Sequence, residues 1–352
     1  MRTVVEKVDS HCPSQEVIQK AANILRQGGL VAFPTETVYG LGGDGLDKEV
    51  CKKIYAAKGR PSDNPLILHI SHISELRPIV KEIPPMAEKM MDAFWPGPIT
   101  LIFKKADCVP SEITGGFDTV AVRFPSHPTA CAIIQQAGFP IAAPSANSSG
   151  KPSPTRASHV EYDLGGKIDM IVDGGPTEVG LESTIIDVSG ERAMLLRPGV
   201  ITREMIEDVI GDILVDPAVT AKPEQNLVPK APGMKYTHYS PKAMVLLVKG
   251  SSRKAVAEKI NAMAKESEKV GKNVGIMATE QTKVLYSYGT ILSVGDREKP
   301  ETIGANLFNL LRKFDYLGID VIYSEVFEET GEGMAIMNRL NKAAGYHTIE
   351  IE

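Results

Sequence analysis

Two hydrophobic periods alternate along this chain. From Ser14 onward Val17, Ile18, Ala21, Ala22 and Leu25 fall on one helical face, and Gly28-Gly29 supplies a stop. A short apolar run, Leu30 to Phe33, then has the length of a buried strand. The same reading predicts helices at 47–57, around 86–94, at 128–137 and at 202–210. It places strands at 65–70, 99–103, 119–124, 141–143 and 170–172, and within 183–188 and 193–196. Short strands interleaved with helices over two hundred residues predict an α/β unit.

The pattern changes at residues 216–241, where Pro217, Pro223, Pro229, Pro232 and Pro241 interrupt a stretch with neither period. Alternation then resumes, with strands at 244–248, 274–277 and 319–324 and helices at 253–268, 303–314 and 333–344. This predicts a first domain over 1–212, a proline-rich linker or lid over 213–241, and a smaller α/β domain over 242–352. A length of 352 residues agrees with two compact units.

Composition narrows the class. Hydrophobic residues make up 43% of the chain and charged residues 24%, which suits a soluble globular protein. The 39 basic and 44 acidic residues leave a net charge of −5. Neither half is a basic clamp for nucleic acid. Cysteines at 12, 51, 108 and 131 form no C-x-x-C pair, so structural zinc and a redox couple lack their motif and a reducing compartment is expected. The N-terminal residues lack the apolar core of a signal peptide, and no stretch approaches the roughly 18 apolar residues of a membrane span. A cytoplasmic location is the expectation.

Candidate chemistry gathers at strand ends. Gly40-Leu41-Gly42-Gly43-Asp44-Gly45 formally fits G-x-G-x-x-G, but the polar run Pro34-Thr35-Glu36-Thr37 separates it from the strand that should feed a dinucleotide turn. A glycine-rich reversal is the plainer expectation. Walker A, H-E-x-x-H and G-x-S-x-G are all absent. Lys58-Gly59-Arg60-Pro61-Ser62 sits where a helix stops; its cations either offset the helix dipole or converge on a polyanion such as a triphosphate. Pro144-Ser145-Ala146-Asn147, past an apolar strand, is either a solvated turn or a set of hydroxyl and amide groups offered to a ligand. Thr35, Arg123, Ser183 and Arg197 also lie at strand termini, where an α/β sheet builds a small-molecule site.

Five segments together carry a resemblance. Phe33-Pro34-Thr35-Glu36-Thr37-Val38-Tyr39-Gly40-Leu41, Lys58-Gly59-Arg60-Pro61, Ser145-Ala146-Asn147, Ser183-Thr184-Ile185 and Leu196-Arg197-Pro198-Gly199 resemble the YrdC-type threonylcarbamoyl-adenylate synthases, in order, over about residues 10–210. The run Pro-Gly-Met-Lys-Tyr-Thr-His-Tyr-Ser-Pro at 232–241 and the trailing domain resemble the long, two-domain form. The resemblance implies a YrdC-like twisted mixed sheet with helices, followed by a Rossmann-like α/β domain.

It also implies a reaction: L-threonine, bicarbonate and ATP give L-threonylcarbamoyl-AMP and pyrophosphate, with Mg²⁺ accompanying ATP. A separate transferase complex then passes the threonylcarbamoyl group to tRNA, and weak direct contact with tRNA is compatible with this. Carried over by position, Lys58, Arg60, Ser145 and Asn147 are catalytic, around the phosphates and the carbamate. Thr35, His69, Arg123, Ala143 and Ser183 hold threonine. Lys58, Ser62, Thr119, Ser145, Ser153 and Arg197 meet the nucleotide, and His238 and Tyr239, beside Tyr236, lie over the mouth of the site. The alternative is carbamoyl transfer of the hydrogenase-maturation type, but its C-x-x-C pairs and acylphosphatase region are missing. A second alternative is an RNA-binding module, which the charge of the first domain disfavours.

Overall fold

The computed structural model describes residues 2–219 and 239–351. Contacts divide the chain into two units, and Gly150–Pro152 is grouped with the second.

In chain order the first unit runs β1 (Val4–Lys7), α1 (Gln15–Arg26), β2 (Val31–Phe33), β3 (Gly40–Asp44), α2 (Lys48–Lys58), β4 (Ile67–His69), α3 (Pro85–Phe94) and β5 (Ile99–Lys104). It continues with α4 (Ser111–Thr114), β6 (Thr119–Arg123), α5 (Pro128–Ala137), β7 (Ile141–Ala142), α6 (Ala157–Leu164), β8 (Met170–Asp173), β9 (Thr184–Asp187), β10 (Met194–Arg197), α7 (Arg203–Ile210) and β11 (Leu214–Val215). Among the described residues eleven strands form one mixed sheet in the order β1-β8-β2-β3-β7-β4-β6-β5-β9-β10-β11.

Burial explains the helices' placement. The apolar face of α1, Ile18, Ala21, Ala22 and Leu25, packs with Ala130, Ile133 and Ile134 of α5 and with Val31, Phe33, Met170 and Val172 of the sheet. Helix α2 starts at a capping Asp47, whose carboxylate accepts from the Glu49 amide at 2.8 Å, and stops at Gly59 in the left-handed region, φ 62°. That stop leaves Lys58 as the last helical residue, buried.

Two expectations fail here. Gly40, Gly42 and Gly43 are not a reversal: they belong to strand β3, paired with β2 on one side and β7 on the other, and only Gly45 lies in a turn. A Cβ on Gly42 would stand 2.6 Å from the Phe33 ring and 2.9 Å from Ile141, and one on Gly43 would stand 2.6 Å from Val50 of α2. Glycine is required for close packing of helix on sheet, so the formal dinucleotide fingerprint has another cause. In addition, β11 falls within the span expected to be linker, where Leu214 pairs with Met194 at the sheet edge.

The second unit contains β12 (Met244–Lys249), α8 (Arg253–Lys269), β13 (Val274–Ala278), β14 (Thr290–Ser293), α9 (Pro300–Tyr316), β15 (Val321–Glu325), α10 (Glu332–Ala343) and β16 (Thr348–Glu350). Its strands are parallel throughout, in the order β14-β13-β15-β12-β16. Val256, Ala257 and Ile260 of α8 bury against Val274, Ile276, Val321 and Tyr323, so its longest apolar stripe is core. The Rossmann-like expectation agrees with this doubly wound, parallel arrangement. No helix among the described residues is long and apolar enough to cross a membrane.

Candidate active site

The middle of the first sheet carries a polar row in an apolar setting. Arg123, the last residue of β6, lies opposite His69 of β4 and opposite Thr100 of β5. All three are buried. The Thr100 hydroxyl meets that of Ser183 at 2.8 Å, and Arg197 at the end of β10 donates Nε to the Ser183 carbonyl at 3.0 Å and Nη2 to its hydroxyl at 3.1 Å. Beside Ser183, the buried Glu182 accepts from the Ser153 hydroxyl at 2.5 Å.

A second group forms around Lys58. Its Nζ donates to the Ser145 carbonyl, to the Asn147 carbonyl at 2.6 Å and to Asn147 Oδ1 at 3.5 Å. The Ser145 hydroxyl donates to the same Oδ1 at 2.6 Å. One helix terminus thus ties down the Ser-x-Asn turn, and the three side chains meet as expected.

The segment Thr35–Gly40 joins the two groups. Thr37 Oγ1 accepts from Arg123 Nη1 at 2.8 Å, while the Tyr39 carbonyl accepts from the Ala146 amide at 2.8 Å and the Tyr39 amide donates to the Pro154 carbonyl at 2.8 Å. Gly40 bridges Ser145. Positions 37 and 39 are two residues apart, and their Cα atoms lie within about 7 Å. Thr35 is part of the same knot, its hydroxyl 2.8 Å from that of Thr37 and 2.7 Å from the Val38 carbonyl.

Arg60 is half-buried, its guanidinium donating to the carbonyls of Asn64 at 3.3 Å and Pro65 at 3.0 Å in its own loop. Ser62 is exposed. Thr119 starts β6, on the same face as Arg123 but four residues away. Ala143 is buried, and its amide bonds to Ile67. Tyr239 belongs to the second unit, where its ring packs 5.0 Å from that of Phe308 and beneath the Arg339 guanidinium. Tyr236 and His238 lie outside the described residues.

The sequence reading had not singled out Glu36, Thr37, Thr100 or Glu182. Glu36 and Thr37 sit inside a motif already quoted, and Glu182 adjoins another. Thr100 gave no signal beyond one hydroxyl in an apolar strand.

Electrostatics sharpen two roles. Burial, with the nearby Arg123 charge, pushes the His69 imidazole down to about 3, so it is neutral at pH 7. Its Nδ1 lies 3.1 Å from the Ile67 carbonyl, and the backbone of Ile141 is a second partner of the ring. Burial opposes the charge on Glu36, yet the neighbouring Arg123 guanidinium outweighs it and holds the carboxyl below its usual range.

His69 gives a pH prediction. Its folded value is depressed, so unfolded chains bind a proton that the native state refuses. This contribution to stability is complete above the unfolded value near 6.5 and shrinks by up to about 1.4 kcal/mol per pH unit as the pH falls toward 3. Denaturant unfolding at pH 7, 6 and 5 should show the loss, and His69→Gln should flatten that slope; an unchanged slope would remove the assignment.

A buried polar row at the strand ends of a mixed α/β sheet, beside a lysine-anchored Ser-x-Asn turn, defines a small-molecule site of an α/β enzyme. Comparison makes this specific. Residues 23–199 match the Sua5–YciO–YrdC family model, described as "Telomere recombination", and residues 201–345 match the C-terminal domain model of threonylcarbamoyl-AMP synthase. The chain is 48% identical over 349 residues to the threonylcarbamoyl-AMP synthase of Bacillus subtilis, covering 99% of each chain. To that of Pyrococcus abyssi it is 50% identical over 334 residues, covering 95% of this chain and 96% of the other. A crystal structure of P. abyssi Sua5 complexed with L-threonine superposes with a TM-score of 0.93 at 48% identity, covering 99% of this chain and 100% of that one. The chain belongs to the threonylcarbamoyl-AMP synthase family.

Proposed function

We propose that this protein condenses L-threonine, bicarbonate and ATP into L-threonylcarbamoyl-AMP, releasing pyrophosphate and water, as a nucleotidyltransferase. The observation that carries the reading is the attachment of Arg123 and the Lys58–Ser145–Asn147 group to one short segment, Thr37–Gly40. It supports the binding of an amino acid beside a phosphate chain.

Threonine's amine forms an N–C bond to bicarbonate carbon with loss of water, and a carbamate oxygen then attacks the α-phosphorus and displaces pyrophosphate. Both partners in the second step are anions, so the site must offset repulsion and hold them in line. Arg123 takes the threonine carboxylate with its planar fork, while Thr35, His69, Ser183 and the close wall at Ala143 fit the rest of the amino acid. Lys58 and Arg60 stabilise phosphate charge, and Ser145 and Asn147 orient the carbamate. Ser62, Thr119, Ser153 and Arg197, with His238 and Tyr239, serve the nucleotide. Mg²⁺ enters with ATP as part of the substrate. The product is a mixed anhydride, unstable enough to need a transferase that consumes it, here one acting on tRNA in the cytoplasm.

Incubation with ATP, bicarbonate and L-threonine, followed by mass detection, should show the adenylate only when all three are present. Pyrophosphate release with carbamoyl phosphate in place of threonine and bicarbonate would favour carbamoyl transfer instead.

A further inference from the structure

The least conventional feature of the site is the partner of Arg123. Glu36 and Arg123 are both buried, at 6% and 4% exposure, and Arg123 Nη2 stands 2.7 Å from Glu36 Oε1. The backbone amides of Glu36 and Ser126 lie near the Glu36 carboxylate without hydrogen bonds of regular geometry, and Nε and Nη2 of Arg123 lack one too. A buried ion pair offsets its desolvation only when its remaining donors and acceptors are satisfied. Here part of that capacity is not met by a hydrogen bond of regular geometry.

We propose that Glu36 determines specificity: it keeps the Arg123 site electrically neutral, so that a zwitterionic amino acid is accepted and simple anions are refused. A monoanion entering this site would leave one uncompensated negative charge in a low-dielectric interior. A zwitterion brings its own cation. Its carboxylate meets the guanidinium and its ammonium meets the Glu36 carboxylate, so the four groups close into two pairs with no net charge added. The need is specific to this reaction, because bicarbonate and the phosphates of ATP are anions that a bare buried arginine would attract. Glu36 is charged at neutral pH, since Arg123 outweighs the effect of burial.

A purely mechanical role, in which Glu36 only holds the arginine in place, makes a different prediction. Loss of such a clamp would weaken every carboxylate in the same proportion. Loss of a balancing charge changes their ratio. The probe is 3-hydroxybutanoate, which is threonine without its amino group, and calorimetry on the full chain without ATP measures both ligands. The wild type should bind this probe at least about 100-fold more weakly than L-threonine. In Glu36→Gln, which keeps the shape, that ratio should fall at least about 10-fold, and Glu36→Asp should restore it.

An unchanged ratio in folded Glu36→Gln would overturn the proposal. If that variant does not fold, wild-type affinities within about threefold of each other would overturn it equally. The proposal rests on the reading that Arg123 takes the threonine carboxylate. Failure of that reading shows as unchanged L-threonine affinity in Arg123→Lys, whereas the ligand ratio reports on Glu36 alone.

Discussion

Lys58→Ala should lower the rate of adenylate formation by at least about 100-fold, the scale of losing one preorganised electrostatic stabiliser. The expectation comes from place as much as charge. Lys58 closes α2, is 3% exposed, and spends its ammonium on the carbonyls of Ser145 and Asn147. On the proposed role, removing it takes the cation from the phosphates; it also deprives the buried Asn147 carbonyl of its lysine donor, at about 1–3 kcal/mol of stability, while the Ser145 carbonyl keeps the Asn147 amide at 3.0 Å. Lys58→Met loses the ammonium but keeps the length and apolar stem, so it removes the packing defect of the alanine variant from the comparison. Single-turnover rates for the methionine variant within threefold of the wild type would withdraw Lys58 from the chemistry and leave it a structural tether.

How far this site was legible in the sequence depended on whether chemistry followed chain order. Lys58 and the Ser145-x-Asn147 turn could be singled out because each is a local cluster of polar residues after an apolar element. That the lysine bonds to the turn is a contact across 87 residues and required the fold. Helices α1 and α5 were readable from one-sided apolar spacing, and β5 and β6 from length and branching. Strand β3 was not, because five residues containing three glycines carry no side-chain alternation. Its strand character comes from Phe33, Ile141 and Val50 pressing on positions where no Cβ fits. The short strands β1, β14 and β16 were also missed. They are partly exposed, and what fixes them is pairing with another strand, distant in sequence for β1 and β16. Glu36 illustrates the same limit in the site. A carboxylate in a Thr-Glu-Thr run reads as solvated, and only burial against Arg123 turns it into a charge that must be balanced.

Arg123→Lys should raise the KM for L-threonine by about 10- to 100-fold and change kcat at saturating threonine much less, because the variant retains a cation and loses the fork. Lysine preserves the neutral pair with Glu36 but cannot present two parallel donors to a carboxylate while also donating to Thr37 at the present 2.8 Å. Affinity for L-threonine and for 3-hydroxybutanoate should therefore fall together, with their ratio kept, in contrast to the changed ratio expected for Glu36→Gln. Arg123→Ala is the harsher change. It strands a carboxylate that is 6% exposed, and breaking a buried pair from one side costs about 3–5 kcal/mol. That variant should lose stability in denaturant unfolding as well as threonine binding, and Glu36→Gln combined with it should recover much of the stability without recovering the binding. A double variant no more stable than Arg123→Ala would mean that Glu36 finds water or another partner when the arginine is gone, and that the two charges are not coupled as the 2.7 Å contact requires.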